Sequence, residues 1–181
     1  MLHIKVKGIN SLTDARYCAG MGVEKLEIVF DKNGQSALSL SEWNSIRAWI
    51  EGVDWVGEYT GTETGILKQL AIDTGILEWT ISPELYQKVH LENPSLTFTI
   101  KSENLLEGPG VSGNERFSLP ASGVDGLQIW IHAPENPSAL LEMHAAYPDF
   151  GFVLQSGTEE RPGWMDLSNL QDVLEKLEET D

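Results

Sequence analysis

Along this chain, short apolar runs rich in β-branched and aromatic residues alternate with segments in which apolar positions recur every three or four residues. The first pattern fits buried or half-buried strands and the second fits helices with one apolar face, so the alternation predicts repeated strand–helix units around a parallel sheet. The strand candidates are residues 2–8, 25–30, 54–60, 75–80, 96–101, 115–119, 126–132 and 150–155. Eight such runs predict an α/β chain closed as a (β/α)8 TIM barrel rather than an open doubly wound sheet.

Helix starts carry a chemical signal as well, because a short side-chain oxygen can accept from the unpaired amides of a first turn. Ser39-Leu40-Ser41-Glu42 and Ser168-Asn169-Leu170-Gln171 fit the capping box, and Ser82-Pro83 and Asn136-Pro137 place a cap before a first-turn proline. In the last helix Leu170, Val173, Leu174 and Leu177 form one apolar stripe that should pack on the barrel.

Between the fifth and seventh strand candidates the pattern fails. Residues 102–114 hold three glycines and a proline without a sustained apolar period, so no long helix is expected there. A barrel of this kind takes about 250 residues, or at least about 200. A chain of 181 residues therefore implies a shortened barrel whose helices after strands five and six are reduced to loop. Leu96, Phe98 and Ile100 alternate along strand five and would be left bare on its outer face. A homodimer through the strand-five side, or the loop itself, is expected to cover them.

Composition narrows the function classes. With 41% hydrophobic residues and no linker or low-complexity run, residues 1–181 are expected to form a single barrel domain. A formal charge of -16 repels phosphate backbones and anionic headgroups, which argues against nucleic acid and membrane surfaces as partners. One cysteine, Cys18, excludes an internal disulfide and a multi-cysteine metal site, and it falls where a small buried packing residue is expected. The start of the chain lacks the pattern of a signal peptide, and no run approaches the ~18 apolar residues of a membrane span, so a soluble cytoplasmic protein is expected. His3, His90, His132 and His144 have no metal-type spacing, so neither a metal nor another cofactor is expected. Trp43, Trp49, Trp55 and Trp79 are expected as core or rim aromatics.

Two segments at the ends carry a resemblance. Lys5-Val6-Lys7-Gly8-Ile9-Asn10-Ser11-Leu12-Thr13-Asp14-Ala15 and Gln155-Ser156-Gly157-Thr158-Glu159-Glu160-Arg161-Pro162-Gly163-Trp164-Met165-Asp166 resemble the first and last strand–loop units of phosphoribosylanthranilate isomerase, the tryptophan-pathway barrel. That family opens on Lys-Ile-Cys-Gly-Ile-Thr and closes on Ser-Ser-Gly-Val-Glu followed by Pro-Gly-x-Lys-Asp. The resemblance implies a barrel fold and an Amadori isomerisation of a phosphoribosyl-anthranilate by a cysteine base and an aspartate acid. It also implies a phosphate site at the turns after strands seven and eight.

The departures fall on the chemistry. The base position is Lys7, an ammonium in place of a thiolate. No carboxylate stands at the acid position in Phe117-Ser118-Leu119-Pro120, with Glu115 and Asp125 only flanking it. The strand-four histidine is replaced within Glu78-Trp79-Thr80-Ile81, and no arginine occurs from Asp31 to Ile46. Trp130-Ile131 replaces a Gly-Gly and is expected to fill part of the phosphate site, although Pro134-Glu135-Asn136 is kept just beyond it, and the Ser156-Gly157 turn is kept as a candidate phosphate or anion site.

New polar residues stand on strands at Lys7, Glu27, Glu58, Glu78 and Lys101. If Lys5 and Lys7 face inward with Glu27 and Glu78, the barrel holds a paired charge network. One reading makes Lys7 a catalytic residue that forms a Schiff base or binds an anion, with Glu27 and Glu78 as partners. The blander reading, salt bridges that fill a spent pocket, is favoured, since such networks need not catalyse anything. Three functions follow: an isomerase-like barrel whose activity is lost or altered, a different small-molecule enzyme or binder of a small anionic or phosphorylated ligand, and a non-catalytic barrel that binds a protein partner.

Overall fold

The computed structural model describes residues 3–102, 117–120, 130–134, 136–148, 150–161 and 164–178. It closes eight strands into a barrel in chain order: β1 (His3–Lys7), β2 (Lys25–Phe30), β3 (Asp54–Tyr59), β4 (Glu78–Ile81), β5 (Thr97–Ser102), β6 (Phe117–Pro120), β7 (Trp130–His132) and β8 (Gly151–Gln155). Closure is made by β8 pairing in parallel with β1, from His3 opposite Gly151 to Lys7 opposite Gln155. The helices α1 (Leu12–Gly20), α2 (Leu40–Trp49), α3 (Thr64–Thr74) and α4 (Pro83–Val89) follow the first four strands. After β7 comes α5 (Pro137–Ala146), and near the end of the chain α6 (Ser168–Glu178).

Strand positions follow the hydrophobic pattern closely, and the exceptions have local causes. The first strand stops at Lys7 because Gly8 turns to φ 83. The fourth starts at Glu78 rather than 75, because Gly75 is the left-handed cap of α3 and donates its amide to Ala71. The predicted strand positions 115–116 and 126–129 lie outside the described residues.

Seven strands run parallel, but β6 runs antiparallel to both β5 and β7. A parallel neighbour needs a crossover of a dozen or more residues, whereas an antiparallel one can be reached by a direct connection. Among the described residues no helix stands between β5 and β7. Reversing one strand lets β6 pair with β5 and β7 without requiring a crossover helix on either side.

Strand alternation separates two environments. Leu26, Ile28, Trp79, Phe98, Ile131 and Phe152 belong to the continuous apolar core between barrel and helices. Glycine at 57 is needed there, because a Cβ would collide with the Trp79 ring. The final helix lays its stripe on this layer as expected, with Leu170, Val173, Leu174 and Leu177 all buried. Strand five is less bare than its sequence implies: Phe98 is buried, with Tyr86 of α4 edge-on to its ring at 6.0 Å. Leu96 and Ile100 are half-buried.

Ser39 caps α2 in a full capping box with Glu42, Ser82 accepts from the Leu85 amide, and Asn136 accepts from Ser138. The box expected at Ser168 is different. Ser168 is itself the first helical residue, and its amide donates to the Asp166 carboxylate at 2.9 Å. Gln171 turns forward to Glu175 at 2.6 Å instead of back to Ser168. Asp166 reaches this place through an unanticipated antiparallel ribbon, β9 (Thr158–Arg161) with β10 (Trp164–Asp166). No helix among the described residues is long and apolar enough to cross a membrane.

Replacing Ser39 by Ala removes the acceptor for the Glu42 amide on an exposed helix end and is expected to cost about 1 kcal/mol, read as a lower urea midpoint at unchanged slope.

Candidate functional site

The second side-chain set of the strands faces into the barrel and is polar almost throughout. On β1, Lys5 and Lys7 are separated by outward Val6; on β2, Lys25 and Glu27 are separated by outward Leu26. Glu58, Glu78 and Thr80 enter from β3 and β4, and Trp130 and His132 from β7. These groups meet in three layers.

At the strand starts, Lys25 donates to Glu78 at 2.6 Å. Trp130 roofs this layer, with its ring centroid 5.4 Å from the Lys5 ammonium and 5.6 Å from that of Lys25, both cation–π distances. Its neighbour must be glycine, because a Cβ on Gly151 would lie 2.5 Å from the indole. In the middle layer, Lys5 donates to Glu27 at 2.7 Å and to the Thr80 hydroxyl at 3.4 Å, while that hydroxyl donates to Glu27 at 2.9 Å. At the strand ends Lys7 pairs with the Glu58 carboxylate, and half-buried His132 lies in the same lining.

Of the predicted strand charges the structure brings Lys5, Lys7, Glu27, Glu58 and Glu78 inside the barrel, but in a different pairing. Lys7 is held by Glu58 rather than by Glu78 or by Glu27, its neighbour in register on β2, whose carboxylate goes to Lys5 instead. Lys25 was missed as the partner of Glu78, although its two-residue spacing from Glu27 puts both on one face. The Lys101 side chain, Glu115, Asp125 and Glu135 lie outside the described residues.

Lys5 and Glu27 are each 1% exposed. Removing an ion that completely from water costs several kcal/mol, which is offset only when the opposite charge and further hydrogen bonds are in place. The pairs leave a cavity of about 10 Å³ between Lys5, Lys7, Glu27, Glu58, Thr80, His132 and Val153. That is room for about one water molecule.

A larger cavity, about 160 Å³, opens beside the strand-eight turn, with Ala133, Pro134, Ser156, Gly157, Asp166 and Asn169 among its lining residues. The Ser156 amide donates to the Lys7 carbonyl at 2.7 Å, so this turn is anchored to the end of β1. The Ser156 hydroxyl is buried without a hydrogen-bond partner. Gly157 cannot be replaced without a clash with the Asp166 backbone. The Asp166 carboxyl is held below its ordinary range by the Ser168 hydroxyl and then by the Ser168 amide. Trp130 does not reach this cavity: it fills the opposite end of the barrel interior, and Ile131 points out into the core.

Cys18 is buried in α1, and burial, reinforced by the Asp14 charge, pushes its thiol up to about 12. It is a packing residue, since the thiolate is the reactive form. Among the described residues no three of His, Cys, Asp and Glu gather as they would around a metal ion.

A closed barrel of eight strands with helices packed outside it is a β/α barrel of the TIM class. Its fold is that of phosphoribosylanthranilate isomerase. The enzyme from Thermus thermophilus superposes with a TM-score of 0.65 over 99% of this chain and 100% of its own, at 17% identity. The one from Pyrococcus furiosus gives 0.66 over the same shares at 11% identity. A third, solved in complex with reduced 1-(o-carboxyphenylamino)-1-deoxyribulose 5-phosphate, gives 0.65 over 99% and 100% at 14% identity. No protein-family model matches the sequence, and no curated protein matches it.

Two outcomes are expected of the interior. Lys5→Met strands the Glu27 charge and should cost ~3–5 kcal/mol, whereas the double change Lys5→Met/Glu27→Leu should recover most of that loss; urea melts of the three proteins decide it. Cys18 should resist a thiol reagent at pH 8 in the folded protein and react promptly in urea. Because the folded thiol titrates above the unfolded one, its contribution to stability is full below pH 9 and declines as pH rises towards 12.

Proposed function

We propose that this chain is a phosphoribosylanthranilate isomerase-like barrel that no longer carries out the isomerisation, and that it keeps the capacity to bind a small anion or phosphorylated ligand beside Ser156 and Gly157. The observation that carries the first half is the filled interior. Lys7 stands where the family has its base, and its ammonium is bound to the Glu58 carboxylate with no lone pair to accept a proton. A ligand of drug size needs a pocket of at least about 300 Å³, against the 10 Å³ left among the interior charges. Loss of base and acid together removes the unit that moves the proton.

The second half is supported by the buried, unpartnered Ser156 hydroxyl and by the close backbone approach that Gly157 permits. A similarly folded isomerase holds a ligand with a 5-phosphate. The Asp166 carboxylate in the same lining opposes an anion and limits the site to a small one.

The alternative is an enzyme that uses Lys7 as a Schiff-base nucleophile, favoured by the 17% exposure of its side chain at the barrel mouth. Borohydride trapping of a carbonyl compound on Lys7 would establish it. A homodimer through the strand-five side would rest on half-buried Leu96 and Ile100, and light scattering should then report twice 20.0 kDa.

Expression of the soluble protein in a tryptophan auxotroph lacking the isomerase should leave growth unrestored; restored growth would sink the proposed loss of activity. Inorganic phosphate should raise the melting temperature of the native protein and leave that of Ser156→Ala unchanged. An identical response of both proteins would remove the anion site.

A further inference from the structure

The end of the barrel opposite Lys7 carries a surface that none of this chemistry uses. Helix C-termini and strand N-termini share that end in a β/α barrel. Four large apolar side chains stand exposed there: Trp49 at 74%, the last residue of α2; Ile72 at 75%, in the last turn of α3; Leu77 at 62%, just before β4; and Leu91 at 83%, just after α4. Single exposed apolar residues are ordinary, but four at one end of the barrel over three successive units single that end out.

Between these units lies a groove of about 360 Å³, with Trp43, Arg47, Asp54, Trp55, Leu77 and Glu78 among its lining residues. Trp43 and Trp55 meet edge to face at 4.8 Å and make a rigid apolar wall. The Trp43 indole is fixed by donation to the Thr74 carbonyl at 3.1 Å. Leu77 is part of the lining itself, and Trp49 ends the helix that carries Trp43 and Arg47, so both stand at this end of the barrel.

The charges around this surface are unbalanced. Lys68 is paired with Glu92 at 2.7 Å, and Arg47, which donates to the Thr74 carbonyl at 2.8 Å, is the one cation in the groove lining among the described residues. Glu51, Asp54 and Asp73 are exposed and have no ion-pair partner among the described residues. A second copy of this chain would bring the same acids and a formal charge of -16 to the contact. An anionic lipid surface would be repelled as well.

We propose that the N-terminal face over the second to fourth strand–helix units docks a lysine- or arginine-rich amphipathic segment of another polypeptide, with an apolar side chain of that segment entering the groove beside Trp43 and Trp55. The aromatic wall supplies the anchor, and the acidic rim selects the charge of the flanks.

The probe is a fluorescein-labelled 14-residue peptide made of two Leu-Lys-Lys-Leu-Leu-Lys-Leu repeats, which is amphipathic as a helix, compared with a scrambled peptide of equal composition by anisotropy. The full chain should bind the amphipathic peptide more tightly than the scrambled one. Trp49→Ser/Leu77→Ser, at exposed positions that should not disturb folding, should weaken it about tenfold. Asp54→Asn should weaken it less, and Leu40→Ser, an exposed leucine at the start of α2, should bind as the parent does. Equal affinity for both peptides, or no loss in the double variant, would reduce the binding to attraction by net charge and overturn the proposal. A dimer in light scattering that the double variant abolishes would assign the face to a second copy, and binding of the parent to phosphatidylserine vesicles would assign it to lipid; either would overturn the proposal.

Discussion

Three lysine–glutamate pairs inside the barrel are the constraint on which the rest of the structure depends. A TIM-type barrel ordinarily fills its interior with branched aliphatic side chains in layers. Here the layers are ionic, Lys25 with Glu78, Lys5 with Glu27 and Thr80, and Lys7 with Glu58. Each charge is tolerable only because its partner enters from another strand at the same height. The pairs therefore tie β1 to β2 and β3, and β2 to β4, and any slip in register by one residue would turn these charges into the apolar layer outside.

That ionic filling moves the hydrophobic core wholly to the space between strands and helices. Leu26, Ile28, Trp79 and Phe152 pack there, and the apolar stripe of α6 is buried there. Trp130 is the largest apolar side chain inside the barrel, where Val153 also lies. Its ring lies flat enough over Lys5 and Lys25 to act as an apolar lid and a weak counter-charge together, and Gly151 leaves the space for it. Among the charges this arrangement leaves a cavity of about 10 Å³.

The two ends of the chain meet at the opposite side of the same network. Gly8 turns the chain away from β1, and the Ser156 amide returns to the Lys7 carbonyl. Backbone geometry, rather than side-chain chemistry, holds this junction. The helix N-terminus nearby is satisfied from within by Asp166.

Sequence periodicity by itself determined the eight strands, the outer apolar layer and most helix starts, because each depends on residues close together in the chain. Ser39, Ser82 and Asn136 announce their helices through amides within three residues of themselves, and the Leu170 stripe needs no partner to be recognised. Alternation on β1 also put Lys5 and Lys7 on one face, whereas their meeting with Glu27 inside the barrel was conditional on that face pointing inward. What it did not contain was height: whether Lys7 meets Glu27, Glu58 or Glu78 depends on the stagger between strands, which is set by the closure of the whole barrel. The same holds for the reversed β6, the Asp166 cap delivered by a distant ribbon, and the place of Trp130, whose side chain is assigned to the strand starts by the space at Gly151. Local chemistry wrote the elements, and only tertiary closure decided which charges would neutralise one another and how little room would remain between them.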